Sequence, residues 1–273
     1  MRNDVLRYLR CPACGGPFTA TGPTVRCPRG HSFDLARQGY VNLLAGRPAP
    51  SGDTPPMVTA RESFLAGGHY QFIADALASA AGEVAGAGLV VDVGAGTGYH
   101  LAAVLDAAPG AVGLALDSSA PAARRAARAH PRAAVAVCDA WGRLPLADGC
   151  ASLLLNVFAP RNGPEFHRVL RPDGRLLIVT PEPGHLTELV AALGLLSVDP
   201  DKPERVAASL GPRFTSTGST RHERRLHLSR ADVRALVGMG PSAWHRAPDD
   251  PAIAALPEPV EVTAAVRLTG YRP

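Results

Sequence analysis

Short apolar runs alternate with amphipathic stretches from about residue 89 onward. The runs GLVVDVG (88–94), AVGLALD (111–117) and AAVAVCD (133–139) are apolar at nearly every position, which predicts strands buried on both faces. The stretches TGYHLAAVLDAA (97–108) and SSAPAARRAARAH (118–130) lie between them and predict helices. Strands of this kind that alternate with helices predict an α/β fold, with a doubly wound parallel sheet covered by helices.

The pattern continues on both sides of this unit. A Pro- and Gly-rich segment precedes two predicted helices. The remaining predicted elements are the helices MVTARESFLA (57–66), QFIADALASA (71–80), PEFHRVL (164–170) and LSRADVRALVGM (228–239), and the strands ASLLLNVF (151–158), GRLLIVT (174–180), RHERRLHLS (221–229) and VEVTAAVRLTGYR (260–272). Ser229 is the predicted N-cap of the last helix, and the alternating final strand is predicted to close the sheet.

A glycine-rich loop follows the first strand of the α/β unit. Asp92, Gly94, Gly96 and Gly98 form the pattern D-x-G-x-G-x-G, whose glycines allow a tight turn and a close approach of backbone to ligand. Tyr99 stands where a dinucleotide-binding fingerprint requires its third glycine, so that motif is not met.

Two further aspartates end the next two strands. Asp117 follows the second strand, where a carboxylate can accept both hydroxyl groups of a ribose, and Asp139 follows the third, where an adenine amino group would lie. The combination resembles the class I S-adenosylmethionine-dependent methyltransferases. A vestigial site, or a site for a different nucleotide, is the alternative.

Three cysteines and a histidine lie near the start of the chain. The spacing Cys11-x2-Cys14-x12-Cys27-x3-His31 predicts two knuckles that close a tetrahedral, structural zinc site, with a short hairpin around Gly22 between them. A disulfide and a redox Cys-x-x-Cys are the alternatives. The first does not fit a cytoplasmic chain, and the second lacks its strand–helix context. Cys138 and Cys150 are predicted to be ordinary buried thiols.

The chain has 273 residues and a formal net charge of +4, and its basic surplus lies at the front. Residues 1–50 hold seven arginines against two aspartates, whereas the remaining 223 residues hold 21 basic and 22 acidic side chains. Phosphate binding would explain this distribution, and so would a merely solubilising surface. Neither a membrane-spanning run nor a secretory signal is evident, so we expect a cytoplasmic protein.

Motifs along most of the chain resemble one family, the bacterial 23S rRNA (guanine-N1)-methyltransferases. They are CPxCGxPF (11–18), CPxGHSFDLARQGYVNLL (27–44), GDTPPMVTARESFLAGGHY (52–70), DVGAGTGYH (92–100), FAP (158–160), TPEPGHLTEL (180–189) and MGPSAWHRAP (239–248). The resemblance implies methylation of guanine N1 in a 23S rRNA hairpin, at guanine 748 rather than guanine 745, with resistance to tylosin-type macrolides. It also implies a homodimer, and three parts: a zinc-binding rRNA-recognition module (1–45), a linker with a helical cover (46–80) and a methyltransferase domain (81–273).

The resemblance also implies roles for single residues. Tyr70, Tyr99, His100 and His185 are the implied additional cofactor contacts. Asn156 and Phe158 occupy the position where related base-nitrogen methyltransferases hold the edge and the face of the target base.

Other side chains are candidates for RNA contact and proton transfer. Arg26 and Arg29 flank Cys27, and Arg47 and Arg61 follow the zinc module; these four arginines are the candidate phosphate contacts. Glu62 or Asp53 could accept the guanine N1 proton. Two other functions stay open from the residues alone: a small-molecule methyltransferase with a zinc-stabilised lid, and a non-catalytic zinc-ribbon protein that binds nucleic acid.

Overall fold

The computed structural model describes residues 2–46, 52–82, 86–199, 201–240, 243 and 250–273. Its helices are α1 (Asn3–Leu6), α2 (Pro55–Ala66), α3 (Gln71–Gly82), α4 (Tyr99–Ala107), α5 (Ala120–Ala126), α6 (Gly163–Val169), α7 (Thr187–Leu193), α8 (Lys202–Leu210), α9 (Arg230–Gly238) and α10 (Pro251–Ala254). Its strands are β1 (Thr19–Thr21), β2 (Thr24–Arg26), β3 (Ser32–Asp34), β4 (Val41–Asn42), β5 (Leu89–Val93), β6 (Val112–Asp117), β7 (Ala133–Val137), β8 (Ala151–Val157), β9 (Leu170–Pro181), β10 (Thr215–Leu228) and β11 (Val260–Arg272).

An eight-stranded sheet forms the centre of the molecule, in the order β10-β11-β9-β8-β5-β6-β7-β4. The pairs from β4 to β9 are parallel, and β11 joins β9 and β10 in antiparallel pairs. The predicted doubly wound α/β architecture is therefore confirmed. The chain reverses its direction of travel across the sheet at β5, which lies between β6 and β8. A ligand crevice is expected outside the carboxyl ends of the strands at such a switch point.

Alternate residues of β5 enter two separate hydrophobic clusters on opposite faces of the sheet. Val90 belongs to the same cluster as side chains of α3, α4 and α9, whereas Leu89 and Val91 belong to the cluster that includes side chains of α1, α6 and α8. This follows from the period of two along a strand. All five residues of β5 are buried, which explains why the run is apolar throughout.

The N-terminal module is built onto the central sheet. Its small sheet, β1-β2-β3, is antiparallel, and the predicted hairpin turns at Gly22 and Pro23. Its last strand, β4, extends the central sheet by pairing in parallel with Ala136 and Val137 of β7. The Arg10 N–H also donates a hydrogen bond to the Pro145 carbonyl at 2.9 Å. Two segments of the module therefore share backbone hydrogen bonds with the α/β domain.

The two parts also share a hydrophobic core. The fully buried side chains of Val5 and Leu9 lie in the same cluster as Leu114 of β6 and Leu146. The zinc-ligand candidates Cys11 and Cys27 belong to this cluster as well. The sequence predicted a recognition module placed ahead of the main domain, and the structure packs that module onto one face of the central sheet.

Several elements differ from the sequence-based expectation. Strand β10 begins at Thr215, six residues before the predicted strand, and most of it is exposed because it forms the edge of the sheet. Helix α3 runs to Gly82, two residues beyond the predicted helix. Helices α1, α7, α8 and α10 and strands β3 and β4 had not been predicted. Most of these elements are too short to establish a recognisable hydrophobic period. Within the described residues, no helix is long and apolar enough to span a membrane.

We expect the shared core to couple the zinc module to the sheet in unfolding. Leu9→Ala should lower the free energy of unfolding by about 2–5 kcal/mol, because it leaves a cavity between the two parts. Urea unfolding should show one transition for the whole chain. The control is Leu196→Ala, at a leucine that is 66% exposed, which should change stability by no more than about 0.5 kcal/mol. An early, separate transition that leaves the sheet folded would contradict the shared core.

Candidate active site and metal centre

The three cysteines and the histidine converge at one point in the N-terminal module. Their ligand atoms all lie within 4.8 Å of one another. Cys14 Sγ lies 3.6 Å from Cys27 Sγ, and His31 Nδ1 lies 3.3 Å from Cys27 Sγ and 3.6 Å from Cys11 Sγ. A tetrahedral zinc ion with bond lengths of about 2.0–2.3 Å requires ligand separations of roughly 3.5–3.8 Å. The cluster therefore has the size and the donor set of a structural zinc centre.

The loop between β5 and α4 is held in a conformation that favours glycine. Gly94 has φ of 79°, and a Cβ atom there would lie 2.3 Å from Ala159 Cβ. Gly98, the N-cap of α4, has φ of 81° and packs against Ala126. Gly96 also has a positive φ, of 55°. The loop thus passes close to the chain after β8 and leaves its own backbone facing the cleft.

Asp117 fixes this loop from the neighbouring strand. Its Oδ2 accepts a hydrogen bond from the Gly96 N–H at 2.7 Å, and its Oδ1 accepts one from the Ser119 N–H at 2.8 Å. Burial raises the pKa of the Asp117 carboxyl, and the two backbone donors oppose that rise. Each oxygen keeps a lone pair that can accept a hydroxyl hydrogen, so the side chain can still bind a ribose.

Asp92 lies at the base of the cleft and lacks a partner. The side chain is buried, and Oδ1 has no hydrogen-bond donor within the described residues. Burial, with a smaller effect from the charge of Asp117, raises the pKa of Asp92 to about 7. An ionised carboxylate in this place needs a cationic or hydrogen-bonding ligand.

The cleft collects most of the residues expected to bind the cofactor. Asp139 reaches it after β7, and Asp139 Oδ1 accepts the Trp141 N–H at 2.9 Å. Of the expected cofactor and base contacts, the cleft is lined by Tyr70, Asp92, Gly94, Gly96, Tyr99, His100, Asp117, Asp139 and Phe158. Gly98 does not line the cleft, because it packs beneath the start of α4. His100 is half-buried, and the desolvation of its ring lowers the pKa of the imidazole to about 4; its Nδ1 has no partner among the described residues.

Tyr70 lines both this cleft and a second cavity, whereas His185 lines only the second cavity. Tyr70 Oη lies 3.2 Å from His185 Nε2, and His185 Nδ1 accepts the Ala265 N–H at 3.2 Å. Burial lowers the pKa of His185 to about 4, so the ring is neutral at pH 7. A neutral ring whose Nδ1 accepts a hydrogen bond carries its proton on Nε2, which therefore donates to Tyr70 Oη.

Phe158 faces the same two cavities from the end of β8. Its ring is 40% exposed and lies about 6 Å from the rings of Tyr70 and His185. The residue has φ of 52°, which is rare for a phenylalanine and costs about 1–3 kcal/mol. Surrounding contacts therefore hold this ring at the cleft, and strain of this kind clusters at ligand sites.

Asn156 and Arg61 have positions that differ from those expected. Asn156 is fully buried, and its amide donates to the carbonyls of Val93 at 3.2 Å and Pro160 at 2.9 Å, so it fixes the turn behind Phe158. Arg61 lines the cofactor cleft and pairs with Asp53 at 2.7 Å, with a further bond to the Met239 carbonyl. These bonds use the guanidinium that the sequence had assigned to phosphate.

The other arginines expected to contact RNA lie elsewhere. Arg26 and Arg29 are exposed beside the zinc knuckle, and neither has an acidic partner in the part of the chain that the structure describes. Arg47 lies outside the described residues. The Asp53–Arg61 pair and Trp141 are parts of the cleft that sequence reasoning missed or placed differently. The motif at 52–70 was the only sequence signal for the Asp53–Arg61 pair. Nothing in the local sequence pattern marked Trp141 as a residue of the cleft.

The residues present fit S-adenosylmethionine. Three carboxylates stand at the ends of adjacent strands, and the cofactor offers an ammonium group, a ribose diol and an adenine amino group as donors. Asp92 Oδ1 is a buried acceptor without a partner among the described residues, and the close contact of Gly94 with Ala159 at the wall of the cleft requires glycine.

Comparisons with known proteins agree with both halves of this geometry. Residues 9–47 match the zinc-ribbon family described as RlmA, N-terminal, and residues 91–178 match a methyltransferase domain family. The 23S rRNA (guanine(748)-N1)-methyltransferase of Streptomyces fradiae is 52% identical over 100% of this chain and 99% of its own. A Micromonospora griseorubida protein, provisionally described as a 23S rRNA (guanine-N1)-methyltransferase, is 61% identical over the full length of both chains.

The chain belongs to the 23S rRNA (guanine-N1)-methyltransferase family. It is an S-adenosylmethionine-dependent methyltransferase with a zinc-ribbon domain at its N-terminus. The fold also matches a chain from the complex between the Haloferax volcanii Trm112 methyltransferase activator and a methyltransferase, with a TM-score of 0.50 at 16% identity. That match covers 82% of this chain and 98% of the other. The predicted family, enzyme class and two cofactors are confirmed.

The unpartnered carboxylate gives this methyltransferase a pH dependence of stability. The Asp92 pKa is about 7 when folded and 3.8 as its ordinary value. The folded state therefore favours the neutral form of the Asp92 carboxyl. This contribution to the free energy of unfolding is fully present below about pH 4 and is lost as the pH rises through 7. Without cofactor, the parent should lose about 1–3 kcal/mol more stability between pH 5 and pH 8 than Asp92→Asn does. Urea unfolding at the two pH values measures this.

Cofactor binding gives the second measurement for Asp92→Asn. By calorimetry at pH 8, the variant should bind S-adenosylmethionine more weakly than the parent, because a neutral amide replaces the charged acceptor. Equal pH dependence of parent and variant would show that Asp92 is already ionised and solvated in the folded protein.

Proposed function

We propose that the chain transfers the methyl group of S-adenosylmethionine to N1 of guanine 748 in a 23S rRNA hairpin, and thereby confers resistance to tylosin-type macrolides. The observation that carries this proposal is the cleft at the switch point. Three aspartates at adjacent strand ends line it, beside an aromatic wall that can receive a base. The similarity to the Streptomyces fradiae enzyme named for guanine 748 supports the position of the target.

The cofactor has a natural orientation along the strand ends. Asp117 would accept the ribose hydroxyls, and Asp139 would face the adenine. Asp92 and the backbone of Gly94 and Gly96 would take the amino-acid end. Tyr70, Tyr99, His100 and His185 complete the proposed contacts. Methyl transfer from a sulfonium needs mainly the alignment of donor and acceptor, so these contacts chiefly position the reacting groups.

The target guanine must leave its stack and enter beside the cofactor. We propose that the face of the base packs on Phe158, and that Asn156 acts through the Phe158 turn instead of touching the base. His185 donates from Nε2 to Tyr70, so that atom cannot accept the N1 proton in this tautomer. Asp53 remains a candidate acceptor although its carboxylate pairs with Arg61, and Glu62, which lies 3.4 Å from Arg125, is a second.

Residues 1–45 would supply rRNA recognition, residues 46–80 would link and cover the site, and residues 81–273 would carry the chemistry. We further propose a cytoplasmic homodimer, whose two zinc modules would bind the RNA together. Light scattering of the purified protein tests the oligomeric state.

Primer extension across the target hairpin tests the activity directly. Methylation at N1 blocks base pairing, so reverse transcriptase should stop beside guanine 748 on 23S rRNA from cells that express the chain. Cells that express Asp117→Ala should give no stop, because the variant loses the ribose acceptor and the bonds to Gly96 and Ser119. A stop at another guanine would change the target, and no stop in either strain would refute the proposed reaction.

The zinc knuckle predicts a salt-dependent contact with RNA. Arg26→Ala combined with Arg29→Ala should weaken binding of the 23S hairpin and flatten the slope of log K against log salt by up to about two units. The control, Arg221→Ala with Arg224→Ala, removes the same charge from exposed positions of β10, at the opposite edge of the sheet from β4. Fluorescence anisotropy over a salt series measures both.

Cofactor affinity should be unaffected in the knuckle variant, since neither arginine lines the cleft. If the knuckle variant and the control have the same slope as the parent, Arg26 and Arg29 serve solubility and the zinc module reads RNA by other contacts, or does not read it.

A further inference from the structure

Trp141 is an exposed aromatic side chain at the wall of the cofactor cleft. Among the described residues, three large apolar side chains are exposed: Trp141 at 65%, Phe158 at 40% and Leu196 at 66%. Trp141 and Phe158 both line the cleft. Burial of an exposed indole against a partner is favourable, so this ring is a candidate contact for a bound molecule.

The backbone that carries this indole is firmly held. The Trp141 N–H donates to Asp139 Oδ1 at 2.9 Å. Asn162 Nδ2 lies within 3.3 Å of three successive carbonyl oxygens, those of Ala140, Trp141 and Gly142. Asn162 is itself the N-cap of α6, so the loop is attached to a helix. Because this loop is already ordered, stacking of a partner on the Trp141 ring would cost the loop little backbone entropy.

A groove beside the zinc module adjoins the cofactor cleft, whose wall includes Trp141. It runs between the knuckle at Cys11–Gly15 and the loop at residues 138–148, and it shares Cys138 and Asp139 with the cofactor cleft. Arg10 and Arg143 line it. Arg143 is largely exposed, with one long contact of 3.5 Å to Asp148. Asp139 and Asp148 line the groove as well, so it is not basic overall, and the arginines are its candidate phosphate contacts. An exposed aromatic face with arginine side chains nearby is an arrangement by which proteins bind single-stranded nucleic acid.

We propose that Trp141 stacks on an unpaired nucleobase of the rRNA next to the target guanine, and that the groove with Arg10 and Arg143 takes the adjoining backbone. This inference rests on the proposed function. It joins the groove beside the zinc module to the cofactor cleft as one continuous RNA path, with Trp141 on the wall of the cleft. The alternative stacking partner of the Trp141 ring is the adenine of the cofactor. The experiment below distinguishes an rRNA base from this adenine.

Fluorescence of Trp141 reports stacking directly. The chain has two tryptophans, Trp141 and Trp244, and Trp244→Phe leaves Trp141 as the only reporter. A transcript of the 23S hairpin with an unpaired loop should quench its emission at low salt. S-adenosylmethionine alone should not, and the same RNA annealed to its complement should quench far less. Quenching by the cofactor alone, with no further change on RNA addition, would assign the ring to adenine and overturn the proposal.

Affinity measurements separate stacking from plain apolar contact. Trp141→Leu keeps an apolar side chain but has no flat ring, and it should weaken hairpin binding by roughly 5- to 100-fold, the range of one base–aromatic stack. Trp141→Phe should recover most of the affinity, and calorimetry should give both variants the cofactor affinity of the parent. Unchanged RNA binding by Trp141→Leu would overturn the proposal.

Failure of the proposed function would be separately visible. The parent would then leave guanine 748 unmethylated in primer extension, whatever the fluorescence of Trp141 showed. The stacking role alone would be refuted if the parent and the Trp141→Leu variant both methylate guanine 748 and their methylation rates depend on RNA concentration in the same way.

Discussion

Parallel pairing of β5, β6 and β7 brings the ends of three strands to one edge of the sheet, and each end carries an aspartate. The register aligns Val93 with Leu116, and Asp117 with Val137, so the carboxylates of Asp92, Asp117 and Asp139 reach one cleft. Three acidic groups in one partly buried place repel one another, and burial raises the pKa of two of them. The Gly96 and Ser119 N–H groups donate hydrogen bonds that stabilise the Asp117 carboxylate. Asp92 Oδ1 has no such donor among the described residues and is available to a ligand. The strand register therefore forms the binding site. It also leaves a buried carboxylate, that of Asp92, which a cationic or hydrogen-bonding group of the cofactor would stabilise.

The same sheet also sets the position of the zinc module. Strand β4 extends it beyond β7, and the module shares the hydrophobic cluster beneath β5 and β6. The zinc ion therefore stabilises a module whose apolar side is completed by the catalytic domain. A small module with little core of its own gains a fixed orientation toward the cleft in this way. Under the proposed function, this fixed orientation sets the distance between the recognition surface and the reacting base.

Several side chains act on the site through the backbone. Asn156 holds the turn that presents Phe158, Asn162 holds the loop that presents Trp141, and Arg61 links the helix α2 to the loop after α9. Each uses its polar groups on carbonyl oxygens of a neighbouring segment. Aromatic rings at the two sides of the cleft are thus supported by buried or half-buried amides, a division of roles that rigid binding sites require.

The sequence by itself determined the fold class, the metal centre and the family, because these depend on local spacing. The period of hydrophobic residues marked β5 to β9 and most of the helices beside them, the Cys-x2-Cys and Cys-x3-His spacings marked the zinc ligands, and the glycine loop marked the first strand end. Tertiary structure alone decided what Asn156, Arg61 and Trp141 touch, and how the zinc module packs. Those outcomes depend on contacts between segments far apart in the chain, such as Arg61 with Met239 or Asn162 with Trp141, and no local pattern encodes the distance between such partners.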